Sequence, residues 1–374
     1  MNEKEDNKKQ DEDKEESLTE IEHEAEEAEK GERTIKKVKY FIYFSVFVIL
    51  SALTFYYLYN IFDKPAKIFV FRSFSIPILS SLLLLLLAYF IFDGLRLYYI
   101  LKTLKCEINF LSIFKLVFIN IFISNVTPMA TGGGFIQVYF LNKKGISLGD
   151  ATAATTIRTV IATVTVFITA PLVFFTRDTI QSGLALNRII FYMTLFAIIY
   201  FSFFYIVIFR NKLIKRVVYN ILIFLRHKNL MSHKRFKNIS RFLFKEINIF
   251  GKGLSSFFKG KKLYVFLSLF FAILFLLAEL SFTVLLMMGM SYEPAYWPVV
   301  LSQLVVLFFM YFAPTPGATG IAEGGFSLVF ANYVQKTDMF PLIFNWRFFT
   351  KYIGIIIGVI LFFSAFFGKK DTSI

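Results

Sequence analysis

Thr127-Pro128-Met129-Ala130-Thr131-Gly132-Gly133-Gly134-Phe135 and Thr315-Pro316-Gly317-Ala318-Thr319-Gly320-Ile321-Ala322-Glu323-Gly324-Gly325-Phe326 both open on Thr-Pro-x-Ala-Thr-Gly and both close on Gly-Gly-Phe. Each interrupts an apolar stretch, 107–142 or 294–335. A proline removes a backbone donor, and the residue before it leaves the helical region. Neither stretch therefore runs as one helix. Irregular backbone at membrane depth is tolerated only where protein or a watery cavity satisfies it. Two readings follow for each stretch: a broken, re-entrant hairpin, or an ordinary helical hairpin that turns at the far surface. Both return the chain to the side it came from.

Working outward, the surroundings repeat as well. An acid precedes each break, Asp93 by 35 residues before Pro128 and Glu279 by 37 before Pro316. An arginine follows each, Arg158 after 30 residues and Arg347 after 31. The order acid, broken hairpin, arginine occurs twice in near register.

Composition sets the class. Hydrophobic residues make up 56% of the chain, with 50 Phe, and mean hydropathy is +0.62. A span needs about 20 mostly apolar residues, and 40–62, 74–101, 149–175, 188–209, 263–288 and 339–367 meet or approach that need. The expected fold class is an all-α polytopic membrane protein. A single cysteine, Cys106, excludes an internal disulfide. No Cys/His spacing suggests a metal, no phosphate-loop motif suggests a nucleotide, and no cofactor is expected.

The net charge of +15 divides unevenly. Residues 1–39 carry 15 acids and 9 bases. Residues 1–35 read as a disordered acidic tail, because almost nothing there can be buried. The bases of the remainder cluster at span ends, which fits a membrane protein and not nucleic-acid binding. Segment 210–262 holds 15 Lys/Arg against one acid, Glu246. The positive-inside rule makes it cytoplasmic, either as amphipathic helices on the inner leaflet or as a plain basic connector. Lys36, Lys37 and Lys39 at one end, and Lys369 and Lys370 at the other, place both termini in the cytoplasm.

This topology makes the copies inverted. Repeat 1, about 74–175, takes its hairpin from inside; repeat 2, about 263–367, takes its hairpin from outside. Inverted repeats with discontinuous helices characterise transporters, whose substrate site lies near the midplane. Candidate site residues are the polar ones at that depth. Arg158 and Arg347 can hold a phosphate through two parallel hydrogen bonds, or can form ion pairs with Asp93 or Glu279. Gly132, Gly133 and Gly134, with Gly317 and Gly320, let an anion approach backbone N–H groups, or serve close helix packing. Thr127 and Thr315 open the two breaks. Glu323 can cap the second broken helix or accept a proton or a sugar hydroxyl. Thr155, Thr156, Thr159 and Thr163 share a face with Arg158 and read as cavity lining or as interhelical hydrogen bonds.

Pro-Thr-Pro-Gly-x-x-Gly-x-x-Glu at 314–323, with Asn125-Val126-Thr127-Pro128, resembles the flippase-like family of the lysylphosphatidylglycerol synthase transmembrane domain. The resemblance covers roughly 36–368, and Ala318 departs from the glycine that often follows Pro-Gly. It implies a domain that moves an aminoacylated phospholipid between leaflets of the cell membrane. In well-known members a soluble synthase domain attaches the amino acid; after Ile374 none is expected here, nor is lysyltransferase chemistry. Other relatives are associated with polyprenyl-linked sugars or hopanoids. The expected function is translocation of an anionic, glycosylated or aminoacylated lipid. Two alternatives are an embedded transferase acting on a lipid-linked sugar or phosphate, with Glu323, Glu279 or Asp93 as base, and an accessory subunit of a separate lipid-synthesis enzyme.

Overall fold

The computed structural model describes residues 44–61, 74–169 and 233–367, with isolated positions at 42, 195–202 and 216–224. The acidic tail, the loops at 63–73 and 176–187, span 188–209 and most of 210–232 lie outside the described residues. The chain divides into two units, Met1–Leu50 and Ser51–Ile374. The second holds both Thr-Pro breaks and every helix from residue 74 onward.

Among the described residues the regular elements are all helices. After helix α1 (Phe44–Ile61) come α2 (Ile76–Thr103), α3 (Phe110–Val126), α4 (Thr131–Lys143) and α5 (Leu148–Thr169). They are followed by α6 (His233–Lys259), α7 (Lys262–Gly289), α8 (Tyr296–Met310), α9 (Ile321–Phe330), α10 (Lys336–Arg347) and α11 (Ile353–Phe367). Four stretches, Phe44–Ile61, Ile76–Thr103, Lys262–Gly289 and Lys336–Ala365, are long and apolar enough to cross a membrane. The protein is a multi-pass membrane protein.

Helices α2 and α7 form the central pair. Each has 28 residues, about 42 Å at helical rise. Aromatic rings join them: Tyr89 stacks on Phe275 at 4.7 Å, and Tyr99 on Phe271 at 5.6 Å. Small residues set the closest approaches, as expected where lipid offers no hydrophobic drive between helices. A Cβ on Gly358 of α11 would collide with the Phe118 carbonyl oxygen of α3, and one on Gly253 of α6 would lie 2.7 Å from the Ala153 Cβ of α5. The basic segment thus contains a 27-residue helix seated on α5 through that glycine.

Both stretches centred on Thr-Pro are broken as the sequence requires. α3 stops at Val126 because Thr127 is extended (φ −102°, ψ 142°) ahead of Pro128. A single 3₁₀ turn follows, Pro128–Ala130, and α4 starts. The second break repeats this backbone: extended Thr315 (φ −82°, ψ 151°), a 3₁₀ turn Pro316–Ala318, then α9 after Thr319 and Gly320. In each turn the two residues after the proline are left-handed: Met129 and Ala130 (φ 54° and 53°), Gly317 and Ala318 (φ 61° and 57°). In each, the N–H of the third turn residue donates to the threonine carbonyl, at 3.2 and 3.1 Å. The two turns pack against one another.

The last span is continuous but irregular. Pro341 sits inside α10, and the five residues Phe348–Tyr352 form a π turn before α11. π turns are frequent at functional sites. This one carries Lys351 between the buried Phe349 and Thr350 and the following α11.

Candidate functional site

A charged side chain in an apolar interior survives only when paired and hydrogen-bonded. Three such clusters lie among the helices, the third at the second break. In the first, Asp93 of α2 receives Arg158 Nη2 of α5 on both oxygens, at 2.6 and 2.7 Å. Arg96, one turn along α2, donates its Nε to Asp93 at 2.6 Å and stacks its guanidinium over Phe275 at 4.1 Å. Arg158 Nη1 donates to Gln137 of α4 at 2.5 Å, and Gln137 donates to Asn120 of α3 at 2.8 Å. Four helices are tied through one carboxylate that is 2% exposed.

The second cluster is Glu279 of α7, which accepts from Lys351 Nζ at 2.8 Å. The third locks the second break. Arg347 donates its Nε to Glu323 at 2.6 Å and its Nη2 to the Gly317 carbonyl at 3.0 Å. The other Glu323 oxygen accepts the Gly320 N–H at 2.6 Å, capping α9. The first break caps its helix with a hydroxyl instead: Gly132 N–H donates to Thr127 Oγ1 at 3.0 Å.

Between the clusters lies a cavity of about 470 Å³. Its wall takes in both breaks, through Met129, Ala130 and Gly134 on one side and Thr315, Gly317 and Ala318 on the other. Arg96, Arg158, Glu279 and Lys351 reach it, with Asn120, Ser124, Asn125 and Gln137 from the first hairpin and Thr159, Thr163 and Thr165 from α5. Two guanidinium nitrogens in this group, Arg96 Nη1 and Arg158 Nε, are buried without a hydrogen-bond partner.

The residues singled out from sequence fall into three places. Arg158, Glu279, Gly134, Thr315 and Gly317 stand in the cavity wall. Asp93, Arg347 and Glu323 stand outside it as counter-charges and braces. The ion-pair expectation for Arg347 needs correction: its partner is Glu323, and Glu279 is taken by Lys351. The physical reason is reach. Glu323 opens α9 at the break that Arg347 also touches, while Lys351 follows Arg347 by four residues and projects to α7.

The glycines divide between the two readings open in sequence, an anion site and close helix packing. Added side-chain carbons at Gly132 and Gly133 would collide with Thr127 and Ser124, so these two allow α4 to close on α3. Gly134 meets nothing and lies on the cavity. At Gly320 the backbone donor is already engaged by Glu323, so it offers no free anion site. Gly317 contributes its carbonyl, not its N–H. Thr127 is a cap, buried and hydrogen-bonded to Ile123 and Gly132. Sequence reading passed over Arg96, Lys351, Asn120 and Gln137. The signal for the first two was local: Arg96 lies three residues from Asp93 and Lys351 four from Arg347, on the same helical faces.

The family pattern of the lysylphosphatidylglycerol synthase TM region matches residues 42–358, which contain every residue of the cavity wall. The chain belongs to this family. A relative described as a UPF0104 membrane protein, from Archaeoglobus fulgidus, is 20% identical over 279 residues, covering 74% of this chain and 83% of the relative. No solved structure matches the chain. Among the described residues no group of His, Cys, Asp or Glu could hold a metal ion. This member of the lysylphosphatidylglycerol synthase TM region family thus presents a charged cavity inside an apolar helical body.

Proposed function

We propose that this protein is a lipid translocase of the cell membrane, whose cavity receives an anionic lipid head group while the tails stay in the bilayer. One observation carries the reading: a cavity of about 470 Å³ that four charged side chains reach, bounded by both broken hairpins, in a body of membrane-crossing helices. That volume lies within the roughly 300–1,000 Å³ of small-molecule sites. Intramembrane charges that face a cavity mark substrate pathways. Arg96, Arg158 and Lys351 supply donors where a phosphate would otherwise lose its hydration.

The proposal extends to organisation. Residues 36–368 form one translocase domain of two inverted units, about 74–175 and 263–367, joined through the basic segment 210–262, with both termini in the cytoplasm. The matching backbone of the two turns, each with an acid-bearing helix second before it and an arginine-bearing helix second after it, supports a shared unit. A transferase would require a carboxylate free to take a proton, and Asp93, Glu279 and Glu323 each hold a cation.

The test is reconstitution into vesicles carrying fluorescent anionic lipids in one leaflet. Accelerated exchange relative to protein-free vesicles is expected. Exchange no faster than in empty vesicles, across several lipid classes, would rule out the reading.

A further inference from the structure

Among the described residues the charges around the cavity do not balance. Arg96, Arg158 and Lys351 bring three positive charges; Asp93 and Glu279 bring two negative ones. The nearby Arg347 and Glu323 cancel each other outside the wall. One positive charge is left over, in a half-open space between apolar helices where charge interactions exceed their strength in water. The surplus has an address: Asp93 serves both Arg96 and Arg158, and each arginine keeps one buried nitrogen, Nη1 and Nε, without a partner.

The rest of the polar wall is uncharged. Asn120, Ser124, Asn125, Thr159 and Thr315 offer amides and hydroxyls. Among the described residues every acid at the cavity already holds a cation, so none is left to receive an ammonium.

We propose that the cavity selects a head group with a single net negative charge, a phosphodiester carrying an uncharged, hydroxyl-bearing substituent such as glycerol or a sugar, and discriminates against an aminoacylated phospholipid. This rests on the reading of the cavity as a head-group site. The surplus positive charge of Arg96, Arg158 and Lys351 attracts the phosphodiester, and the hydroxyls meet the amide and hydroxyl wall. A lysylated head group brings two ammonium charges to one phosphate, so its net charge has the same sign as the cavity.

The experiment measures binding and transfer separately. Full-length protein in nanodiscs of zwitterionic lipid is offered phosphatidylglycerol, lysylphosphatidylglycerol, phosphatidate and an uncharged glycosyl diacylglycerol, and bound lipid is counted by native mass spectrometry. Phosphatidylglycerol is expected to bind at least about tenfold more tightly than the lysylated and uncharged lipids. Equal or tighter binding of the lysylated lipid would overturn the inference. Glu279→Gln raises the surplus to two positive charges and is expected to shift preference toward phosphatidate. Lys351→Gln removes the surplus and is expected to level charged and uncharged lipids. The double variant restores one positive charge and is expected to restore the original order, which separates a change of charge from a damaged fold; an order that ignores all three variants would overturn the inference. If binding keeps the expected order but no lipid changes leaflet, the translocase reading fails and the charge selection stands.

Discussion

At the residue scale, the first hairpin turns on left-handed positions filled by residues that resist them. Met129 and Ala130 both have φ near +54°, and Ala318 has φ 57°. A left-handed non-glycine residue costs roughly 1–2 kcal/mol, against which glycine's extra freedom in the unfolded chain weighs about 0.5–1. Ala318→Gly is therefore expected to stabilise the protein by about 0.5–1 kcal/mol, read as a raised Tm in detergent. Asp93→Asn works the other way. It strands two buried guanidinium groups, and removal of one partner from a buried pair costs roughly 3–5 kcal/mol. Unfolding at lower temperature is expected, with partial recovery when Arg158→Gln is added. Cys106, in the loop between α2 and α3, is half-buried; burial first, and the Asp150 carboxylate second, push its thiol up to about 11. The thiol stays neutral below that value, so at pH 9 it has roughly one hundredth of full thiolate where an exposed thiol is near half. Alkylation by a maleimide is expected to be slow at pH 8 and to quicken about tenfold per pH unit toward 11.

At the element scale, the breaks were legible and their locks were not. Pro128 and Pro316 stop a helix by covalent geometry, so the sequence alone places both turns. The capping of α4 by Thr127 depends on which hydroxyl the turn brings near a free N–H, and spacing does not reveal it; the cap of α9 by Glu323 was one of the readings the sequence left open. The pairing of Glu279 with Lys351 was hidden for the same reason: 72 residues separate them, and the π turn rotates Lys351 onto α7. For Arg158 the sequence left a phosphate site and an ion pair with Asp93 or Glu279 all open, and Asp93 is the acid it meets. Packing glycines look like site glycines in sequence; only the neighbours tell them apart. Gly358 shows the consequence. Gly358→Val would drive its side chain into the Phe118 carbonyl of α3. Overpacking typically costs about 1–3 kcal/mol, and a backbone oxygen cannot swing away. Loss of monodisperse protein on size exclusion is the expected outcome, while Gly134→Ala, which meets nothing, is expected to purify normally.

At the scale of the whole molecule, the proposed transfer of a head group would depend on how a guanidinium presents its donors, not only on charge. Arg158 binds Asp93 through one nitrogen and Gln137 through another, and its third is spare. Arg158→Lys keeps the charge and loses the planar fork. It is expected to lower the rate of lipid exchange in vesicles at least about tenfold, with a smaller change in Tm than Asp93→Asn gives. Fold class and the multi-pass character were open to view in composition and run length. The cavity was not, because it is made by helices that meet across more than 200 residues of chain, from Arg96 to Lys351.

The brace at the second break has an optical consequence. The chain has two tryptophans. Trp297, at the start of α8, is exposed; Trp346 is buried, 4.8 Å from the Phe326 ring and 5.2 Å from the Arg347 guanidinium. Indole emission follows the local electric field and polarity. Trp297→Phe therefore leaves a protein with one indole, seated beside the arginine that holds Gly317 at the cavity wall. A spectral shift of that single indole on adding lipid would report movement of the second turn, without label, antibody or cysteine.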